Sequence, residues 1–86
     1  MEDREIYAAL TEIIRDVLMR DEIVLTPKMS AKDVEGWDSF KMIEIIMMVE
    51  SQFSIKVGSR QLDRLETVGE LVDLIRVGTA KHSQSV

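Results

Sequence analysis

Residues 36–53 read GWDSFKMIEIIMMVESQF, and this stretch decides the fold of the chain. Asp38 is a strong candidate to begin a helix, because its side-chain oxygen can accept a backbone N–H of the first turn. The sequence therefore predicts a helix from Ser39 to about Gln52. Gly36, two residues before this cap, marks a position where the backbone needs a positive φ angle or a close approach.

This predicted helix carries more apolar surface than one buried stripe requires. At about 100° per residue, one face collects side chains suited to pack against other helices: Met42, Ile45, Ile46, Val49 and Phe53. A second face holds Phe40, Ile43 and Met47. The helix is either buried nearly all round, or it exposes an apolar strip rimmed by charge, which is typical of an interaction site. We favour the exposed strip for Phe40 and Met47 and keep both interpretations for Ile43.

The sequence before this helix predicts another helix and a long connection. Apolar residues spaced by three and four predict a helix over residues 4–20. Residues 21–37 lose that period, and Pro27 cannot lie in a helix interior. Because apolar residues are scattered through this connection, we predict a loop packed against the body.

Two helices are predicted after the central one. A short helix of one or two turns is expected around residues 60–65, with Ser59 as its cap. Thr67 and Glu70 fit a capping box, in which each side chain accepts the other residue's backbone N–H. Gly78 is suited to end this last helix.

The length of 86 residues leaves room for a single core. We therefore predict an all-α fold for residues 1–78, a small bundle of three main helices and one short helix with a long first loop. Residues 79–86 are predicted to form a flexible polar tail.

No apolar run is long enough to span a membrane, and the acidic N-terminus is unlike a signal peptide. We expect a cytoplasmic monomer that does not insert into membranes.

Composition excludes several classes of function. The net charge of −5 argues against nucleic acid or anionic lipid as the main partner. The chain has no cysteine, and its one histidine, His82, lies in a polar segment, so the usual nucleophile–base pairs cannot form. We predict no enzymatic activity and no metal site.

Charge is concentrated around the central helix. Residues 33–55 contain five acidic residues and only Lys41 as a base. A solvated face would explain such a charge run as well, but together with the apolar strip it favours a protein interface steered by electrostatic attraction. The predicted partner-binding residues are Phe40, Lys41, Ile43, Glu44, Met47 and Glu50.

Three stretches of the sequence follow one another as the motifs of a known family do: Gly-Trp-Asp-Ser-Phe at 36–40, Ile-Glu-Ile-Ile at 43–46 and Val-Glu-Ser-Gln-Phe at 49–53. They resemble the acyl carrier protein family, whose hallmark is Gly-x-Asp-Ser-Leu opening the second helix, then a Glu, an apolar run and a final Phe. The segment at 65–75 also resembles the closing part of that family, and the likeness covers about residues 5–77.

This resemblance implies that Ser39, next to Asp38, is esterified with 4′-phosphopantetheine by a separate transferase. The arm would hold acyl groups as thioesters and carry them between enzymes of a fatty-acid, polyketide or related pathway. The implied partners are a phosphopantetheinyl transferase, an acyl-loading ligase or synthase, and acyltransferases. The residues agree with this chemistry, because a phosphodiester on Ser39 would lie at the positive end of a helix dipole. Since the chain has no cysteine, thiol chemistry also requires a thiol from an attached group.

Departures from the family pattern suggest a specialised carrier. Phe40 stands where Leu is usual, Lys41 where the family often has an acid, and Ser51 where many fatty-acid carriers have Glu. The cargo stays open. The alternative function is an unmodified helical adaptor that uses the Phe40–Met47 face. For the carrier, we predict an apolar seam that shelters the acyl chain, lined by Met42, Ile46, Met48, Leu62 and Val72.

Overall fold

The computed structural model describes residues 2–84, and side chains for residues 2–80. The order of elements is α1 (Asp3–Leu18), a short 3-10 turn (Ala31–Asp33), α2 (Ser39–Phe53), α3 (Ser59–Arg64) and α4 (Val68–Gln84). Within this part of the chain there is no strand. The predicted all-α bundle, with three main helices, one short helix and a long first loop, is confirmed.

One hydrophobic core joins the three long helices, and α1 packs against both α2 and α4. The predicted core face of α2 is confirmed for Ile45, Ile46, Val49 and Phe53, whereas Met42 is only half-buried. The buried residues of α1 and α4 are Ile6, Leu10, Ile13, Ile14, Val17, Val68, Leu71, Val72 and Ile75. These side chains recur at helical spacing, so removing them from water stabilises the helices and their packing together.

The first helix ends earlier than its apolar pattern predicts. Met19 adopts a left-handed conformation with a φ angle of 56°, and the N–H of Arg20 donates to the carbonyl of Arg15 at 3.0 Å. This bond satisfies a free carbonyl of the last turn and turns the chain out of the helix. The predicted end at residue 20 is therefore wrong by two residues.

The long loop is fixed to the bundle by hydrogen bonds from arginine side chains. Arg15 Nε donates to the carbonyl oxygen of Ile23 at 2.8 Å, and Arg20 Nη1 donates to that of Glu35 at 2.9 Å. Ile23 is also buried in the core. The prediction of a loop packed against the body is confirmed.

The start of α4 is fixed by its own cap and by the same loop. The predicted capping box forms: the Glu70 N–H donates to Thr67 Oγ1 at 3.2 Å, and the Thr67 N–H donates to Glu70 Oε1 at 3.0 Å. The N–H groups of the first two residues of α4 donate to the carbonyl oxygens of Met29 and Pro27, at 2.8 and 3.0 Å. The loop thus supplies acceptors that a helix start lacks.

The cap of α3 differs from the prediction. Gly58, not Ser59, is the N-cap residue, and Ser59 is the first residue of the helix. The N–H of Gly58 donates to Gln61 Oε1 at 2.9 Å. This bond is the half of a capping box in which a side chain at the third helical position accepts the N–H of the cap residue, and glycine has no side chain to supply the other half.

The end of α4 also differs. The helix continues through Gly78 to Gln84, so the prediction that Gly78 ends it is wrong. A Cβ atom at position 78 would lie 2.9 Å from Ile55 Cγ2, so the absence of a side chain lets α4 pass close to Ile55. The side chains of residues 81–86, including His82, lie outside the described residues, and the flexibility of the predicted tail stays a prediction.

Candidate functional site

Ser39 is the first residue of α2, and its side chain is exposed. Asp38 is the N-cap, as predicted: its Oδ1 accepts the N–H of Lys41 at 2.9 Å, and its carbonyl accepts that of Met42 at 2.9 Å. The N–H groups of Ser39 and Phe40 belong to the first turn, which has no intrahelical acceptors. The positive end of the α2 dipole therefore faces the space around the Ser39 hydroxyl.

A buried indole holds the turn in front of Ser39. Gly36 has a φ angle of 90°, which confirms the predicted need for a positive value. Trp37 follows it and is only 8% exposed. Its backbone N–H donates to the carbonyl of Val34 at 3.3 Å, and its ring Nε1 donates to Met42 Sδ at 3.4 Å. These contacts place the cap and Ser39 at a defined edge of the bundle.

A cavity of about 530 Å³ opens beside Ser39. It lies between the start of α2, α3, the start of α4 and the 3-10 turn of the loop. Apolar side chains form most of its wall: Trp37, Met42, Ile43, Leu62, Leu65, Val68 and Leu71. Polar groups surround them: Ser30, Lys32, Asp38, Ser39, Asp63, Glu66 and Thr67.

This cavity confirms part of the predicted seam and corrects the rest. Met42 and Leu62 line it. Ile46 and Val72 are buried in the core and are absent from its wall. Met48 is 39% exposed and lies about 120° around α2 from Met42, so the prediction that it lines the seam is wrong.

Four apolar wall residues outside α2 are absent from the predicted seam, and they are Trp37, Leu65, Val68 and Leu71. Trp37 comes from the loop, Leu65 precedes α4, and Val68 and Leu71 lie in its first turn. The sequence feature that could have indicated them is their apolar character, since they lie next to the capped starts of α2 and α4. Helical periodicity alone could not bring them together, because their approach depends on how the loop and α3 cross the bundle.

The apolar strip on α2 is exposed, as predicted for Phe40 and Met47. Phe40 is 77% exposed, Met47 is 62% exposed and Ile43 is 48% exposed. The exposure of Ile43 decides between its two interpretations, since this residue lies outside the core and also lines the cavity. The role of these side chains in binding partners stays a prediction.

The charged members of the predicted partner face have different surroundings. Lys41 Nζ lies 3.9 Å from Glu44 Oε2, in an ion pair on the surface of α2. Glu50 is half-buried, and its Oε2 accepts the backbone N–H of Val57 at 2.9 Å. One oxygen of Glu50 is therefore committed to the fold, whereas the Glu44 carboxylate faces solvent.

The arrangement suits a phosphodiester-linked arm. Ser39 offers an exposed hydroxyl at a helix N-terminus, where free N–H groups favour an anion. The adjacent cavity is apolar and large enough to receive part of a flexible chain. Among the described residues no group of acidic, histidine or cysteine side chains could hold a metal ion.

Comparison with known proteins gives the family. Residues 8–75 match the family model described as a phosphopantetheine attachment site. The acyl carrier protein of Thermotoga maritima is 34% identical over 71 residues, which are 83% of this chain and 88% of that relative. This chain belongs to the acyl carrier protein family. The meromycolate extension acyl carrier protein of Mycolicibacterium aurum is 36% identical over 73 residues, 85% of this chain and 75% of that protein.

Solved structures of acyl carrier proteins have the same fold. The solution structure of a holo acyl carrier protein from Geobacter metallireducens superposes with a TM-score of 0.86 and 37% identity, covering 91% of this chain and 90% of that one. A crystal structure of an acyl carrier protein from Thermotoga maritima gives a TM-score of 0.83 over 94% of each chain. At 21% identity, that second likeness shows the fold alone.

Membership of this family gives the general function. The chain is an acyl carrier that uses a 4′-phosphopantetheine group, it interacts with biosynthetic enzymes, and it is not itself an enzyme. The carrier interpretation of the sequence is thereby confirmed and is favoured over the unmodified adaptor. Within residues 2–84, no helix has the length and apolar character needed to cross a membrane.

Proposed function

We propose that Ser39 is the residue to which 4′-phosphopantetheine is attached. The observation that carries this proposal is the exposed Ser39 hydroxyl at the first position of α2, directly after the Asp38 cap and at the edge of an apolar cavity. Asp38 supports the site indirectly, because its bond to the Lys41 N–H holds the first turn of α2 in place.

The residues around Ser39 have clear tasks in this proposal. The free N–H groups at the start of α2 offset the negative charge of the phosphodiester. The apolar wall of the cavity shelters part of the arm or its cargo from water. The bound group supplies the thiol on which acyl groups are held as thioesters, since the chain has no cysteine.

The proposal extends to the partners. The exposed strip of Phe40, Ile43 and Met47, next to the acidic groups of Asp38 and Glu44, would dock on basic and partly apolar patches. Such patches are expected on a phosphopantetheinyl transferase, an acyl-loading ligase or synthase, and acyltransferases. A fatty-acid, polyketide or related pathway, a cytoplasmic location and a monomeric state stay predictions.

The mass of the intact protein tests the attachment site. The wild type, Ser39→Ala and Ser59→Ala are each incubated with coenzyme A and a broad-specificity phosphopantetheinyl transferase. Ser59 is the matched control, because it is also an exposed serine at the first position of a helix. We expect the wild type and Ser59→Ala to gain the mass of one phosphopantetheine, and Ser39→Ala to gain none.

The same experiment includes the outcomes that contradict the proposal. Circular dichroism should show a folded Ser39→Ala, since Asp38 still caps α2 and Ala favours helix. A mass gain in folded Ser39→Ala would place the site on another serine, and Ser30, Ser51, Ser54 and Ser59 would be tested next. An unmodified wild type would revive the adaptor alternative.

A further inference from the structure

The Trp37 indole is a buried hydrogen-bond donor with a weak acceptor. Trp37 as a whole is 8% exposed, and it forms part of the wall of the cavity beside Ser39. A buried indole N–H ordinarily finds a hydrogen-bond partner. Here Nε1 donates to the thioether sulfur of Met42 at 3.4 Å, and a thioether is a weak acceptor.

Two side-chain oxygen atoms of the cavity wall already accept backbone N–H groups. Asp38 Oδ1 accepts the backbone N–H of Lys41 at 2.9 Å, and Thr67 Oγ1 accepts that of Glu70 at 3.2 Å. Within residues 2–80, no oxygen accepts a hydrogen bond from the Trp37 ring. The indole N–H therefore has capacity for a stronger acceptor brought in from outside the chain.

We propose that Trp37 Nε1 donates a hydrogen bond to a carbonyl oxygen that enters the cavity with the loaded arm, and that this donor favours acyl groups oxygenated beyond the thioester. The proposal rests on the attachment at Ser39, since Ser39 and Trp37 line the same cavity. The acceptor that gives this preference is a 3-oxo group on the acyl chain, and the arm amides and the thioester carbonyl are the competing oxygen atoms that the test separates from it. Their shared chemistry is a neutral oxygen acceptor.

Replacing sulfur with oxygen as the acceptor has a physical basis. A hydrogen bond to a carbonyl oxygen is shorter and stronger than one to a thioether, and an apolar surrounding strengthens it further. Met42 is unbranched and flexible, so its sulfur can move away when a better acceptor arrives. In the empty carrier the sulfur keeps the indole partnered, and in the loaded carrier the oxygen takes its place.

Trp37 is the only tryptophan in the chain, so its indole proton gives a single resonance in an ¹⁵N-correlated NMR spectrum. Four forms are compared: apo, and the products of the transferase with coenzyme A, hexanoyl-coenzyme A and 3-oxohexanoyl-coenzyme A. We expect the indole proton to move downfield in the 3-oxohexanoyl form relative to the hexanoyl form. An equal downfield shift in the hexanoyl and 3-oxohexanoyl forms overturns the proposal, because it assigns the acceptor to the arm amide or the thioester carbonyl, which both forms contain. An indole proton that stays at its apo position in all three loaded forms also overturns it.

Thermal unfolding of two variants separates the donor from the ring. In the wild type we expect the 3-oxohexanoyl form to melt about 2–4 °C above the hexanoyl form. Trp37→Phe keeps an aromatic ring and removes the N–H, so this difference should disappear. A difference that persists in Trp37→Phe overturns the acyl-oxygen assignment.

Met42→Leu is the second variant, and it keeps the proposal testable if Trp37→Phe fails to fold. It removes the sulfur acceptor with little change of volume. The apo indole proton should move upfield, while the shift in the 3-oxohexanoyl form should stay. Absence of that shift in Met42→Leu contradicts the proposal. Intact mass reports loading separately, so failure of attachment at Ser39 cannot be mistaken for failure of the Trp37 contact.

Discussion

Glu50 Oε2 accepts a hydrogen bond from the backbone N–H of Val57 at 2.9 Å, which ties the end of α2 to the segment that leads into α3. The carbonyl of Glu50 also accepts the N–H of Ile55 at 3.2 Å, and Ser54 takes a left-handed conformation between them. The side chain and the carbonyl of Glu50 thus both accept N–H groups of the segment between α2 and α3. These bonds fix the path of the chain into α3, which forms a wall of the cavity.

The two glutamates of α2 are predicted to differ in their effect on stability. Glu50→Ala leaves the half-buried Val57 N–H without its acceptor and should lower the free energy of unfolding by about 1 kcal/mol. Glu44→Ala is the matched control, because it removes only an exposed ion pair with Lys41, and its effect should stay within about 0.5 kcal/mol. Urea unfolding followed by circular dichroism measures both, and equal losses would contradict the role given to Glu50.

Local patterns predicted the starts and faces of the helices. Asp38 and Thr67 are caps whose partners lie three residues away, so the sequence itself contains both halves of each interaction. The exposure of Phe40 and Met47 follows from helical geometry once the core face is known. The position of Ser39 at the start of α2 could be predicted because it directly follows the Asp38 cap.

Contacts between distant segments could not be predicted in this way. Gly78 has the sequence context of a helix end, yet it lies inside α4, where its missing side chain leaves room for Ile55 to pack close to the backbone. The bond between Arg15 and the Ile23 carbonyl uses a backbone atom whose direction depends on the loop path. The place of Trp37 in the cavity wall also depends on the path of the loop. Each depends on where one segment crosses another, and periodicity carries no such information.

The cavity predicts that cargo stabilises the carrier. If the acyl chain enters the apolar space between Met42, Leu62 and Leu71, the thermal midpoint should rise from the holo form to the hexanoyl and octanoyl forms, because a group that binds only the folded state adds to stability. Met42→Ala should change how much the thermal midpoint rises with the length of the acyl chain. Met48→Ala, outside the cavity, should leave that rise unchanged. Identical midpoints in the three wild-type forms would mean that the cargo stays in solvent.

Lys41 is predicted to tune the choice of partner. It is the base within the acidic face of α2, so Lys41→Glu should raise the association rate with the transferase by roughly two- to tenfold at low salt, and less at high salt. Glu44→Lys should slow the same step. Lys28→Glu is the control, since it makes the same charge change at an exposed loop residue outside this face. Stopped-flow association that accelerates equally in both Lys→Glu variants would show an effect of net charge alone.

Met47 is predicted to anchor partners while contributing little to the core. It is 62% exposed, so Met47→Asp should stay helical and lose only about 0.5–1 kcal/mol of stability. Its complex with the transferase should dissociate faster, because a desolvated apolar anchor acts mainly on dissociation. Val49→Asp, at a fully buried position of the same helix, is the control that should unfold. Circular dichroism and the dissociation rate decide together: a folded Met47→Asp with an unchanged rate removes Met47 from the interface, and lost helicity assigns it to the core.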